Sequence, residues 1–525
     1  MNLSALVVLS IALSSVPGLA QQVRPPLLQA GFEGPAALEG WQFAGTGTSR
    51  LVERDDQGHA IYLERPAESP GGAGVRQFSL PVDQIAGKMV TLQADVRAEE
   101  LSVPPQSWNG VKFMLQYRTP SGNRYPQMRG LGETRGWRSV FFTVRVPADA
   151  LEARLVLGLE AVSGKMWFDN VRIDVGRPAA AHKYLWDGQH PIFTGRSLPR
   201  LRGTMVGGNL NEDSLSVLGK DWNANVLRWQ VNWAQTRPAK ADPTDAQAWD
   251  AWLDDALDHL EAVLPLCEKY GVMVVVDLHS QPTVKDELGK PKGIFESVRA
   301  QDRFVESWER IARRMKGRDL IWAYDLCNEP NETSQIAGVP SWHDLANRTA
   351  KAIRVIDPVT PLIVEPGIGA GPDGFDDFWP IDDSRTIYSV HMYMPHTFTH
   401  QGVKGQAMGF SYPGLINGEQ WDKDRLRRVL QPVVDFQKDF GVHIFVGEFS
   451  AIRWAPGDSA LNYLRDCIDL FEEHGWDWTY HAFREWSGWS VEYGSDMNDN
   501  KPSLTQTPRE KLLRSWFSQN LKPEH

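Results

Sequence analysis

Cysteine is nearly absent from this chain. Cys267, Cys327 and Cys467 are the only three in 525 residues, an odd count that excludes a disulfide framework and leaves room for one bridge at most. Two lie in helical patterns and Cys327 in a strand, so all three read as buried thiols. No Cys/His spacing suggests zinc. His391, His396 and His400 invite a metal reading, but the Pro395 turn separates them and their spacing fits no helix-borne site. No metal and no cofactor are expected. Long apolar runs are also missing. The run Leu6–Leu13 is too short to span a bilayer, and no other stretch reaches that length. With Gly18-Leu19-Ala20 behind it, it has the pattern of a secretory signal over residues 1–20, although no Lys or Arg stands near its start. That pattern predicts a secreted or periplasmic protein with no membrane partner. Positive charge is in deficit: the net charge of −11 disfavours nucleic acid as a partner.

Tryptophan is abundant instead. There are 21, and because sugar C–H faces stack on indole, this content fits a carbohydrate cleft as well as core packing. The length of 525 residues is too great for one ordinary core, so two domains are expected, and the chain is read as a monomer.

One stretch organises the rest. Ile321-Trp322-Ala323-Tyr324-Asp325-Leu326-Cys327 is a short apolar run that leads into Asn328-Glu329-Pro330. Its length and its bounds at Gly317 and Pro330 predict a buried strand, with pairing stopped where proline cannot donate. Glu329 then stands at the carboxyl end of a core strand, facing a cleft with apolar walls, a place suited to a general acid. A second apolar run, His443-Ile444-Phe445-Val446-Gly447, ends at Glu448. Two carboxyl groups at the ends of two parallel strands can face each other across one pocket, as glycoside hydrolysis needs.

From about Lys183 onward the sequence resembles glycoside hydrolase family 5, of clan A. Asn328-Glu329-Pro330 and Gly447-Glu448 match its acid/base and nucleophile motifs. Arg228 in Asn225-Val226-Leu227-Arg228-Trp229, His279 in Val276-Asp277-Leu278-His279, and His391-Met392-Tyr393 match three further marks in the expected order. The resemblance implies a (β/α)8 TIM barrel over 183–525. It implies Glu329 as proton donor and general base, and Glu448 as nucleophile. Arg228 would hold the nucleophile ionised, Asn328 would bond a sugar 2-hydroxyl, His279 and His391 would reach other hydroxyls, and Tyr393 would position Glu448. One departure stands out. The family's strand-8 tryptophan, the floor of the central subsite, aligns with His481, and Trp486 or Trp489 a few residues on are its candidate replacements.

Residues 22–176 have a different texture. Val90–Val96, Val111–Tyr117, Val140–Val146 and Ala153–Leu159 are short strand-like runs, and Met166-Trp167-Phe168-Asp169-Asn170-Val171-Arg172-Ile173 closes the set. With no long helical stretch among them, they predict an all-β sandwich. The closing strand resembles that of jelly-roll carbohydrate-binding modules, which makes Trp108, Tyr117 and Tyr125 candidate stacking rings; bracing of the barrel is the alternative role. Gly176–His182 reads as a linker. After it, strands alternate with amphipathic helices, and Gly271 stands as a C-cap after the helix Trp249–Tyr270. The expected activity is a retaining β-glycoside hydrolase on a poly- or oligosaccharide, first an endo-β-1,4-glucanase. The alternatives are a mannanase or an exo-acting β-glycosidase, then a transglycosylase or a non-catalytic glycan-binding protein.

Overall fold

The computed structural model describes residues 25–178 and 198–523, leaving out 35, 55–57, 68–70, 107, 121, 129–130, 135, 209, 239–240, 333–337 and 377. The signal-like segment 1–20 and most of the linker therefore lie outside the described residues, as does the start of the expected barrel domain.

The amino-terminal part is a sandwich of two antiparallel sheets. One sheet runs β3 (Thr48–Glu53), β4 (His59–Arg65), β11 (Gly164–Pro178), β6 (Lys88–Glu99), β9 (Arg138–Arg145), with β1 (Leu28–Ala30) also on β11. The other runs β2 (Trp41–Gly45), β5 (Ala73–Leu80), β10 (Glu152–Glu160), β7 (Gly110–Thr119), β8 (Gly122–Arg124). Alternation fills the space between them. Val111, Phe113, Leu115 and Tyr117 of β7 all point inward against Leu155, Leu157 and Phe168. Tyr117 is thus a core residue, 3% exposed, and the expectation that it stacks on a sugar is corrected. Trp108 and Tyr125 stay outside, at 60% and 53% exposure.

The carboxy-terminal part is a closed barrel of eight parallel strands in chain order. They are Arg202–Val206, Val226–Gln230, Met273–Asp277, Ile321–Asp325, Leu362–Val364, Thr386–Met392, His443–Phe449 and Asp477–Tyr480. Most are buried over their whole length, because a parallel sheet is covered on both faces and alternation has no role there. Helices Ala246–Tyr270, Val298–Met315, Trp342–Ile356, Lys423–Phe440 and Ser459–His474 pack outside. Gly271 and Gly441 close two of them in the left-handed conformation, at φ 61° and 63°. Below the site the interior is plugged by Val275, Trp322, Ile363 and Phe445. Among the described residues, no described helix is long and apolar enough to cross a membrane.

One wall position departs from the plain pattern. Between the fifth and sixth strands the described residues hold only a 3-10 turn, Pro372–Asp376, in a stretch rich in proline and glycine. Phe375 and Phe378 pack from it onto Phe436 of the next helix. The sandwich abuts this side. Arg145 donates to Asp439 at 2.6 Å and lies over the Phe440 ring at 5.4 Å. A cavity of about 270 Å³ between the domains is lined by Gln127, Phe142 and Thr143 from the sandwich and Trp342, Phe378 and Trp379 from the barrel.

Candidate active site

Apart from Arg228, the candidate residues His279, Glu329, His391, Tyr393, Glu448 and His481 lie at or just beyond the carboxyl ends of their strands, the end where barrel sites are built. Arg228 is the hub. It sits in the middle of the second strand with its side chain inside the barrel and fully buried. Its Nε donates to Asp325 at 2.8 Å and its Nη1 to Glu448 at 2.8 Å. Its Nη2 donates to Asn328 Oδ1 at 3.1 Å and Glu365 at 3.2 Å, and is 3.2 Å from Asp277. Four carboxyl groups around one guanidinium cannot all ionise freely. Burial, with Glu365 and Asp277 nearby, pushes Asp325 well above its usual value despite Arg228.

Glu448 lies near the end of the seventh strand. A register shift between the sixth and seventh strands pairs His391 with Glu448. Gly447 makes the packing there possible. A Cβ at this position would stand 2.7 Å from Ser389 Oγ and 2.8 Å from His391 Nε2. Tyr393 donates to Glu448 Oε2 at 2.8 Å, and its hydroxyl accepts from His481 Nδ1 at 2.6 Å. Burial alone would raise the Glu448 carboxyl. The charges of His391 and His481, and then Arg228, outweigh burial and hold it well below the usual carboxylate range.

Glu329 has another setting. The fourth strand stops at Asp325, and Glu329 stands beyond it at φ +45°, a left-handed conformation that costs a residue with a Cβ roughly 1–2 kcal/mol. The apolar walls expected around it are not there: its side chain is 42% exposed, because the chain has already left the barrel and turned toward the cleft. His391 Nδ1 donates to Glu329 Oε1 at 3.0 Å. Oxygens of Glu329 and Glu448 and the His391 nitrogen all lie within 4.8 Å of one another.

The other expected residues are placed as follows. His391, expected to reach sugar hydroxyls, is only 1% exposed, with Nε2 3.0 Å from Glu365 and Nδ1 on Glu329. Its neighbours Glu365, Glu448 and Glu329 outweigh burial and raise it well above the ordinary value of 6.5. His279 is partly exposed and bonded through Nδ1 to Asp277 at 2.8 Å. Asn328 uses its carbonyl oxygen on Arg228, which leaves its amide N–H groups for a ligand. His481 stands against Tyr393 and 3.5 Å from Glu485, which also accepts from Gln230 at 2.7 Å and Gln235 at 3.0 Å. Of the two candidate tryptophans, Trp489 is buried against His481 and Tyr393, while Trp486 is 41% exposed at the rim.

Sequence reasoning missed Asp277, Asp325, Glu365 and Glu485 as parts of the site. For three of them a signal was present. Val275-Val276-Asp277, Ala323-Tyr324-Asp325 and Ile363-Val364-Glu365 each place an acid at the end of an apolar strand. Such an acid is buried among others only if a cation meets it, and the buried Arg228 stands within 3.2 Å of all three.

Residues 188–487 match the family model Cellulase (glycosyl hydrolase family 5). Endoglucanase C of Acetivibrio thermocellus is 29% identical over 255 residues, 43% of this chain and 73% of that protein. Cellodextrinase A of Ruminococcus flavefaciens is 24% identical over 243 residues, 45% of this chain and 70% of that protein. Among solved structures, endoglucanase Cel5A from Thermotoga maritima covers 56% of this chain and 92% of its own, at 21% identity and a TM-score of 0.44. The sandwich lies outside the matched residues.

Proposed function

Because the chain belongs to glycosyl hydrolase family 5, whose members are retaining glycoside hydrolases, we propose that it is an endo-β-1,4-glucanase with Glu448 as nucleophile and Glu329 as acid and base. The observation that carries the roles is the contrast between two carboxyl groups held within 4.8 Å. An oxygen of each within 4.8 Å of the other fits the about 5–5.5 Å separation of a retaining pair better than the roughly 6.5–9.5 Å of an inverting pair. Glu448 is buried among cations that keep it ionised, as a nucleophile needs. Glu329 stands in the open cleft mouth, where a leaving group departs and water arrives.

In the first step a Glu448 oxygen bonds to the anomeric carbon, the glycosidic C–O bond breaks, and the leaving oxygen takes the Glu329 proton. In the second, water loses a proton to Glu329 and its oxygen displaces Glu448. The amide of Asn328 bonds the 2-hydroxyl, a contact that strengthens as positive charge develops at the ring. Tyr393 keeps the attacking oxygen in place until the bond forms. His279 and Trp486 line the path of the chain, and Trp108 and Tyr125 hold it farther away on the sandwich.

Azide tests the roles. Glu329→Ala should keep the first step on a dinitrophenyl β-cellobioside, stall in the second, and be rescued by azide to give the β-glycosyl azide. Glu448→Ala should lose turnover on every glycoside, with azide giving the α-anomer. The same anomer from both variants, or full activity in either, refutes the assignment. The endo-glucanase reading is checked on carboxymethylcellulose, whose viscosity should fall well before reducing ends accumulate. A mannanase or an exo-acting β-glycosidase is the second reading, favoured by His481 and Glu485 standing where an indole floor is usual. A panel of β-linked polysaccharides separates them.

A further inference from the structure

We propose that Glu365 is a positioning residue for the acid/base, holding the Glu329 backbone in its left-handed turn and the Glu329 carboxyl through His391. The inference rests on the reading of Glu329 above. Glu365 follows directly on the fifth strand and is fully buried. Its Oε2 accepts the backbone N–H of Glu329 at 2.6 Å, a charge-assisted bond to the residue whose φ of +45° an L side chain resists. Its Oε1 accepts from Arg228 Nη2 at 3.2 Å and stands 3.0 Å from His391 Nε2. His391 Nδ1 in turn donates to Glu329 Oε1 at 3.0 Å. One carboxylate thus reaches the acid/base at two points, by a hydrogen bond at its main chain and, through an ion-pair contact with one imidazole, at its side chain.

The grip has a directional logic. Glu329 has little packing to orient it, since its side chain is 42% exposed and its strand ended at Asp325. What orients it must come from polar contacts, and the two present both lead to Glu365. Glu448, by contrast, is bonded directly by Arg228 and Tyr393, two contacts that do not run through Glu365. Removing Glu365 should therefore damage proton transfer selectively and leave nucleophilic attack in place. Trp342 reinforces the anchor: its Nε1 donates to the Glu365 carbonyl at 2.7 Å, fixing the main chain from which the carboxylate projects.

The experiment compares Glu365→Ala and Glu365→Gln with Glu329→Ala and the parent, in the full chain. For Glu365→Ala, kcat/KM on cellopentaose should fall at least about 100-fold, while on dinitrophenyl β-cellobioside it falls less than about 10-fold, roughly the worth of one charge-assisted bond in the first case. A burst of dinitrophenol should precede slow turnover, and azide should speed that turnover. Glu365→Gln keeps an oxygen for the Glu329 N–H and should recover part of the cellopentaose activity without changing the burst. An equal fall on both substrates, with no burst, would overturn the inference, because a general structural lesion or a displaced Glu448 does that. If Glu329→Ala shows the leaving-group split and the azide rescue but neither Glu365 variant does, the inference alone fails. If Glu329→Ala shows neither, the acid/base reading fails and takes this inference with it. Should Glu365→Ala not fold, the same comparison on Glu365→Gln decides, with a smaller split in the same direction expected.

Discussion

Replacing Arg228 by methionine removes one cation and leaves four carboxyl groups in a space where none is exposed beyond a few per cent. Methionine has similar length and no charge, so it fills the space and isolates the electrostatic loss. Breaking a buried pair by deleting one partner costs about 3–5 kcal/mol, because the other charge stays buried alone. For a chain of this size about 2 °C of melting temperature goes with each kcal/mol, which gives a fall of roughly 6–10 °C. The pH dependence identifies the cause. In the parent, Glu448 is held below its unfolded value, so it contributes stability above about pH 4.5 that is lost as pH falls through its lower folded value. In the variant that contribution is diminished at neutral pH, and protonation relieves the uncompensated charge. The gap between the two proteins should therefore narrow as pH is lowered from 7 toward 4. Calorimetric scans over that range measure it. A gap below about 1 kcal/mol at pH 7, or one independent of pH, refutes the hub role drawn for Arg228.

On the alkaline side the sign reverses. His391 is raised well above 6.5 by Glu365, Glu448 and Glu329, so its stabilising charge is fully present below about pH 6.5 and is lost as pH rises through the raised value. The parent should lose melting temperature on that climb, and His391→Gln should show a flatter slope. On the sandwich, Trp108→Ala and Tyr125→Ala should each weaken retention in affinity electrophoresis on soluble β-glucan by several-fold, with the melting temperature unchanged since both rings are exposed. No retention of the parent on any glycan would leave that domain only the bracing role.

The barrel was legible because its strands are continuous apolar runs and its helices repeat with a period near 3.6. The helix expected over Trp249–Tyr270 is Ala246–Tyr270, closed at Gly271 as expected. The first five sandwich strands were not. The buried run Ala60-Ile61-Tyr62-Leu63 lies on a strand with neighbours on both sides and shows no alternation to mark it. Tyr117 was misassigned although the period of two already placed it with Val111, Phe113 and Leu115. Within the site, single residues at strand ends could be read one at a time. What could not be read was that Arg228 serves four of them together, since that depends on how far each strand runs before it stops. The exposure of Glu329 follows from the same uncertainty. Ending the strand at Asp325 rather than Pro330 moves the carboxyl from the wall to the mouth.

The 3-10 turn at Pro372–Asp376 makes the two halves unequal in their dependence. The sandwich closes its own core between its sheets and needs nothing from the barrel to do so. The barrel has a thin place in its outer ring, and there Arg145, Phe142 and Thr143 of the sandwich stand against it. Asp376, on that turn, has its carboxyl raised by burial to about 6 while Arg124 and Arg145 of the sandwich pull the other way. A hydrolase joined to an accessory module by a loose tether can lose or exchange that module by recombination in the tether. Here the sandwich covers Phe378 and Trp379 of the barrel, so losing it would bare that seam to solvent.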